Sequence, residues 1–203
     1  MARAVADGLA AEHALAAERF DLVLLDLGLP RLDGLDLLPS NIDLSAAEIQ
    51  LVNEVGREQT LGLALYPVLD RYDYILIDCP PSLGLLTINA MTAVDEVLIP
   101  IQCEYYALEG VGQLLGNIGM IREHLNNSLH ISAIVLTMYD ARTKLASEVA
   151  DEVRGQFGQV VLNNVIPRSV KVSEAPGYGQ TVIDYDPGSR GALAYFDAAR
   201  ELA

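Results

Sequence analysis

The sequence predicts an α/β fold, a doubly wound and mostly parallel sheet, and two observations predict it. Apolar runs of five to six residues alternate with helical text from about residue 73 onward. Runs that short and that uniformly apolar are expected of strands covered on both faces by helices. Two of the runs also echo each other: Phe20-Asp-Leu-Val-Leu-Leu-Asp26 and Tyr72-Asp-Tyr-Ile-Leu-Ile-Asp78 each deliver an Asp at the carboxyl end. Ligands of open parallel sheets sit at that edge, so both carboxylates stand where a metal or phosphate would be met. A strand-end Asp serves equally well to cap the next turn.

Taken in order, the chain opens with an Ala-rich helix over 7–19 with Asp7 as its N-cap, then a strand over 21–26. Gly28, Pro30 and Gly34 punctuate the text before a second strand, Leu35–Leu38. Ser45 and Glu48 have capping-box spacing, and helical text continues to about Leu69 with breaks suggested at Gly56, Gly62 and Pro67. The regular alternation comes next: strand 73–78, helix 83–93, strand 97–101, helix 108–125, strand 131–137, helix 144–157 and strand 160–162. A Pro/Gly loop is expected over 166–188 and a closing helix over 189–202.

Length and composition narrow the class. At 203 residues there is room for one full domain, and 51% apolar residues with a mean hydropathy of +0.27 exclude a disordered chain. No apolar run reaches the roughly 18 residues of a membrane span, and no signal-type segment opens the chain, so a cytoplasmic protein without a membrane partner is expected. Cys79 and Cys103 each lie in an apolar run with no ligand at metal spacing, which reads as buried thiols. The histidines, His13, His124 and His130, are scattered and suggest no nucleophilic triad. A formal charge of −15 argues against a simple DNA-binding domain. Over 142–171, however, five basic residues face three acidic ones and leave a local +2.

Several motifs lie in one order along this alternation. Tyr74-Ile-Leu-Ile-Asp78-Cys-Pro80-Pro81-Ser-Leu-Gly84 resembles the Walker B and switch II segment of the ParA/Soj partition ATPases, deviant P-loop NTPases of the class that includes MinD. Collinear blocks extend the likeness over about 35–203: Leu35–Leu44, Glu104-Tyr-Tyr-Ala-Leu-Glu-Gly110, Leu136-Thr-Met-Tyr-Asp-Ala-Arg-Thr143, Val165-Ile-Pro-Arg168, Ser173–Gly177 and Asp184–Gly191. The resemblance implies a P-loop NTPase-like fold of ParA/MinD type, with ATP and Mg²⁺ as cofactors. It implies as partners a ParB-like protein, nonspecific DNA and a second copy in a homodimer, with association to the nucleoid.

It also implies roles for single residues. Asp78 becomes the catalytic carboxylate that holds Mg²⁺ through water, a role suited to a hard cation that keeps its hydration. Pro80 and Pro81 form the switch loop that senses the terminal phosphate. Met138 and Pro167 line the adenine, although packing in a core or turn explains both equally. Arg168, Lys171 and Arg190 fall where relatives touch DNA nonspecifically by neutralising phosphates, although exposed cations are common on any soluble surface.

One part of the pattern is missing. A Walker A loop needs glycines whose amides close around the phosphates and a lysine beside them. The chain has two lysines, Lys144 and Lys171, and neither follows a glycine. Charge-assisted hydrogen bonds contribute about 1.5–3 kcal/mol each, so even partial loss of this loop implies nucleotide binding weaker by on the order of a thousandfold. Impaired ATP binding and hydrolysis are therefore expected. The alternative is a nucleotide-free remnant that keeps the surface for DNA or partner.

Residues from about 5 to 35 are instead similar to a fragment of a response-regulator receiver domain, with Asp26 at the phosphoacceptor position. The acidic pair that would hold its metal is absent, which leaves a phosphoacceptor as the third reading. The two resemblances meet at Gly34 and Leu35 without a linker, as in a chimera of a receiver fragment (1–34) and an N-terminally incomplete ParA-like domain (35–203). Loss of an interior strand would leave backbone groups without partners. Leu22–Leu25 is accordingly expected to insert as a parallel strand that partly repairs the sheet, with Asp26 and Asp78 at the same edge.

Overall fold

Seven strands, all in parallel pairings, make up two hydrogen-bonded sheets in a computed structural model that describes residues 3–4, 22–25, 35–37, 49–79, 84–105 and 107–203. The expected helix over 7–19 and the capping box at Ser45 and Glu48 lie outside the described residues. The chain divides into two units, Met1–Val94 and Asp95–Ala203.

The first unit carries β1 (Arg3–Ala4), β2 (Leu22–Leu25), β3 (Leu35–Leu37) and β4 (Tyr74–Ile77) in the order β1-β3-β2-β4. Strand β2 runs parallel to β4 in the register Leu22↔Tyr74 to Leu25↔Ile77, which is the insertion expected for Leu22–Leu25. Between β3 and β4 come a 3₁₀ turn (Arg57–Gln59), helix α1 (Thr60–Leu65) and a second 3₁₀ segment (Tyr66–Arg71). Gly56 breaks the chain by taking φ +72, a left-handed value that glycine adopts without steric penalty. Gly62 does not break it. It lies within α1, where a Cβ would sit 3.6 Å from Ala93, at ordinary contact distance.

Leu65, Val68 and Tyr72 form one core cluster of this unit, with Leu61, Ile75, Ile77 and Ala93 packed on them. Ala93 ends helix α2 (Leu85–Ala93). Buried Asn89 of α2 ties the layers together: its Oδ1 accepts from Leu61 N–H at 3.1 Å, and its Nδ2 donates to Arg57 O at 2.7 Å and Leu85 O at 3.0 Å. Burial on both strand faces is not what β4 shows. Ile75 and Ile77 meet the core, whereas Tyr74 and Leu76 on the other face are 65% and 50% exposed.

The second unit is a sheet ordered β5-β6-β7, with β5 (Glu96–Gln102), β6 (His130–Tyr139) and β7 (Val161–Pro167). Helix α3 (Ala107–His124) links the first two strands, and α4 (Lys144–Phe157) links the last two. Helix α4 has the expected bounds because Thr143 accepts from Ala146 N–H at its start and Gly158, at φ +61, stops it. Both outer strands outrun their expected lengths. In β7 the polar pair Asn163-Asn164 does not end the strand, because Glu201 accepts from both backbone amides, at 2.6 and 3.1 Å, and from both side-chain amides, at 2.7 and 2.8 Å.

Glu201 belongs to α7 (Arg190–Leu202), which is capped by Ser189 and packs Ala198 against Ala133, Val135, Leu162 and Ile166. The segment expected as a Pro/Gly loop is built instead from α5 (Val170–Glu174), a 3₁₀ turn (Ala175–Tyr178) and α6 (Val182–Tyr185). These pieces are too short for helical periodicity to show in sequence, and burial of Ala175 and Val182 against Ala192 orders them. Cys103 is buried and Cys79 half-buried, and both are free thiols, so the reading of buried thiols holds for Cys103 alone. No helix among the described residues is long and apolar enough to cross a membrane.

Candidate functional site

In the first unit the site is the segment at the carboxyl end of β4. The apolar strand Tyr-Ile-Leu-Ile is anchored by Ile75 and Ile77, and the next residue, Asp78, is exposed. Cys79 turns back, its Sγ 3.8 Å from Ile77 O. Burial pushes its thiol above the ordinary range and the Asp78 charge adds to the effect, so it stays protonated and is no nucleophile near neutral pH. Asp26, Pro80 and Pro81 lie outside the described residues.

In the second unit the carboxyl ends of three parallel strands bring together Cys103 and Glu104 after β5, Met138 and Tyr139 ending β6, and Pro167 and Arg168 at the end of β7. The backbone links them directly: Cys103 N–H donates to Thr137 O and Arg168 N–H donates to Tyr139 O, each at 2.9 Å. Register does the rest. Leu136 pairs with Val165 and Tyr139 with Pro167, so β6 carries one residue more than β7 over this stretch, a bulge of the kind that re-aims a side chain.

Met138 sits in that bulge at φ +54, the one left-handed non-glycine backbone among the described residues. Such a conformation disfavours a bulky residue by about 1–2 kcal/mol and persists only where neighbours over-determine it. They do so here. Beyond Tyr139, Asp140 takes Arg142 Nε at 2.9 Å, Nη2 at 2.8 Å and the Arg142 backbone N–H at 3.0 Å, while Thr143 N–H donates to Asp140 O at 3.0 Å. These Arg142 donors hold the Asp140 carboxyl down at about 2, and Arg168 adds to the effect. Met138 and Pro167 are both half-buried.

The cations expected on a DNA-facing surface gather around this edge. Arg168 reaches across to Glu104, Nη2 to Oε1 2.8 Å. Lys171, one helical turn on in α5, meets Glu174 at 3.4 Å and lies 5.3 Å from the Tyr185 ring centroid. Tyr185 stacks on Tyr178 at 5.1 Å and donates its hydroxyl to Glu174 at 3.3 Å. Exposed Arg190 opens α7 and has no ion pair among the described residues. Its neighbour Gly191 packs on Val172 and Ser169, which sets Arg190 beside the segment carrying Arg168 and Lys171.

Sequence reading found the strand-end Asp, the Met and the three cations but missed their partners, Glu104, Asp140 with Arg142, and Glu174 with the tyrosine pair. The quoted blocks contain Glu104 and Asp140: Asp140 and Arg142 lie two residues apart in one block, whereas nothing local to Glu104 marks its pairing with Arg168, 64 positions away.

Comparison with known proteins agrees with this architecture. Residues 16–131, more than half of the chain, match the family model described as an AAA domain. Over 171 residues the chain is 54% identical to the sporulation initiation inhibitor protein Soj of Bacillus subtilis (strain 168), spanning 84% of this chain and 68% of that protein. It is 49% identical over 168 residues to the chromosome partitioning protein ParA of Myxococcus xanthus (strain DK1622), spanning 83% and 59%. Among solved structures, cobyrinic acid a,c-diamide synthase from Mycobacterium smegmatis with bound ADP and magnesium matches with a TM-score of 0.72 at 32% identity, over 98% of this chain and 94% of that one. Identity near one half, sustained across more than four fifths of its residues, makes this chain a member of the ParA/Soj family of partition ATPases.

Proposed function

We propose that the chain serves chromosome or plasmid partitioning in the cytoplasm, holding nonspecific DNA through Arg168, Lys171 and Arg190 and answering to a ParB-like protein, while these 203 residues by themselves bind MgATP weakly. The observation that carries the reading is the convergence of those three cations on the α5 and α7 segments beside the Met138 bulge, in a chain whose total charge is −15. A local cluster of this kind can neutralise phosphates even when the molecule as a whole is acidic. The relatives named Soj and ParA support the partitioning role.

The fit to the family's cofactors differs from end to end. Asp78 is an exposed carboxylate at a parallel-strand end, the oxygen donor Mg²⁺ accepts through its waters. Among the described residues no group of three or more His, Cys, Asp or Glu could cage a metal. Half-buried Met138 and Pro167 offer apolar surface suited to a base. The triphosphate finds no match, because neither lysine follows a glycine. No hydrolytic step is therefore assigned to these residues.

Two measurements on the purified chain test the reading. Calorimetric titration with MgATP should show no saturation in the micromolar range, and micromolar affinity would overturn the weak-binding part. Retention of a mixed-sequence DNA duplex should fall with rising salt, and Arg168→Ala should lower the logarithmic salt slope by about one. Retention indifferent both to salt and to Arg168→Ala would remove the DNA assignment.

A further inference from the structure

Two of the three cations assigned to DNA are already engaged by carboxylates of the same chain. The Arg168 guanidinium is held by Glu104 at 2.8 Å, with the side chains 55% and 50% exposed. The Lys171 ammonium is held by Glu174 at 3.4 Å, with the side chains 46% and 42% exposed. Glu174 is itself fixed by the Tyr185 hydroxyl, and that ring lies against Lys171 and stacks on Tyr178. Both pairs are open enough for solvent and a phosphate to reach them, so an incoming phosphate meets a cation whose charge a neighbouring carboxylate already partly offsets and one of whose donors that carboxylate already holds. Backbone anchoring of Arg168 through its N–H to Tyr139 O leaves the side chain as the part that exchanges partners.

We infer that Glu104 and Glu174 act as built-in competitors of DNA phosphate for Arg168 and Lys171, so that the chain restrains its own DNA affinity. Arg190, without an ion pair among the described residues, remains the open contact of the face. The inference rests on the DNA assignment above and adds to it a pair of affinity-setting residues that touch no DNA themselves. Exposed ion pairs contribute little, so release of one pair should tighten DNA binding by about twofold to fivefold at low salt. The gain should fade as salt rises, because the intramolecular pairs and the phosphate contacts are screened together.

Fluorescence anisotropy of a labelled mixed-sequence duplex, read with the full chain, tests this. Glu104→Gln and Glu174→Gln are compared with Glu148→Gln, which removes the same charge from an exposed residue of α4 that has no ion pair among the described residues. The expected result is tighter binding by the first two than by the third, with the Glu104→Gln gain abolished by Arg168→Ala and the Glu174→Gln gain abolished by Lys171→Ala. Equal affinities for all three glutamine variants, with Arg168→Ala still weakening binding, would overturn the competition and leave the DNA assignment standing. Binding unaffected by Arg168→Ala and Lys171→Ala alike would overturn both.

Discussion

Gly191 offers the most direct test of how α7 positions the cationic face. It is the second residue of α7, just inside the Ser189 cap whose Oγ accepts Ala192 N–H at 3.2 Å. A Cβ at this position would stand 2.5 Å from Val172 Cγ2, with Ser169 Oγ at 3.5 Å and its Cβ at 3.6 Å. Contact between carbon atoms requires well over 3 Å, so Val172 would have to retreat by on the order of 1 Å, and a β-branched side chain in a helix has one strongly preferred rotamer with which to do it. Overpacking of this kind costs about 1–3 kcal/mol. Against it stands the gain of replacing a helical glycine by alanine, about 0.5–1 kcal/mol. Taken at the middle of each range, the balance for Gly191→Ala is a loss of about 1 kcal/mol, equivalent to a fall of about 2–4 °C in Tm for a chain of this size. Urea unfolding at unchanged m-value measures it, and Val172→Ala added to Gly191→Ala should recover most of the loss as a coupling energy. A Gly191→Ala chain as stable as the parent, or a double variant no more stable than the single ones predict by addition, would refute the close approach of α5 and α7.

Three other substitutions probe the described units. Asn89→Ala strips Leu61 N–H of its partner and takes from Arg57 O one of two donors, the other being the Thr60 hydroxyl, so the urea midpoint should fall by the equivalent of about 1–3 kcal/mol. Asp140 should titrate in an NMR pH series with a midpoint of about 2, and Arg142→Ala should move it toward the ordinary 3.8 because the largest cause of the depression is the Arg142 side chain, while the backbone N–H at position 142 stays and keeps part of it. Glu201 is held below the usual carboxylate range, chiefly by the Asn163 backbone N–H. A depressed carboxylate stabilises the fold fully above its unfolded value, here about 4.5, and loses that contribution as pH falls through its folded value. The stability gap between the parent and Glu201→Gln should therefore be widest near neutral pH and narrow progressively below about 4.5.

What the sequence disclosed and what it concealed divide by distance along the chain. Helix α4 was legible to the residue because its cap, its amphipathic face and its terminal glycine are consecutive signals. Asp78 was legible as a strand-end carboxylate because an apolar run followed by an acid states its position locally, and the parallel insertion of Leu22–Leu25 followed from the need to partner backbone groups left by a missing interior strand. Strand β7 was truncated at Leu162 because two asparagines look like a stop, and the carboxylate that lets them continue lies 38 residues away from the first. The segment 166–188 looked like loop because each of its helical pieces is shorter than the window in which periodicity can be counted.

The same rule governs the site. A collinear resemblance is matched one block at a time, so Met138, Pro167 and Arg168 were singled out through it without knowing that they meet. Their state could not be read in this way, since the bulge that turns Met138 left-handed arises from the register between two strands, and the carboxylate on Arg168 comes from the end of a third. A cation count taken from sequence therefore overstates the unpaired positive charge on this face. Of Arg168, Lys171 and Arg190, two are ion-paired within the fold, so on the proposed DNA assignment Glu104 and Glu174 would temper the affinity those cations supply.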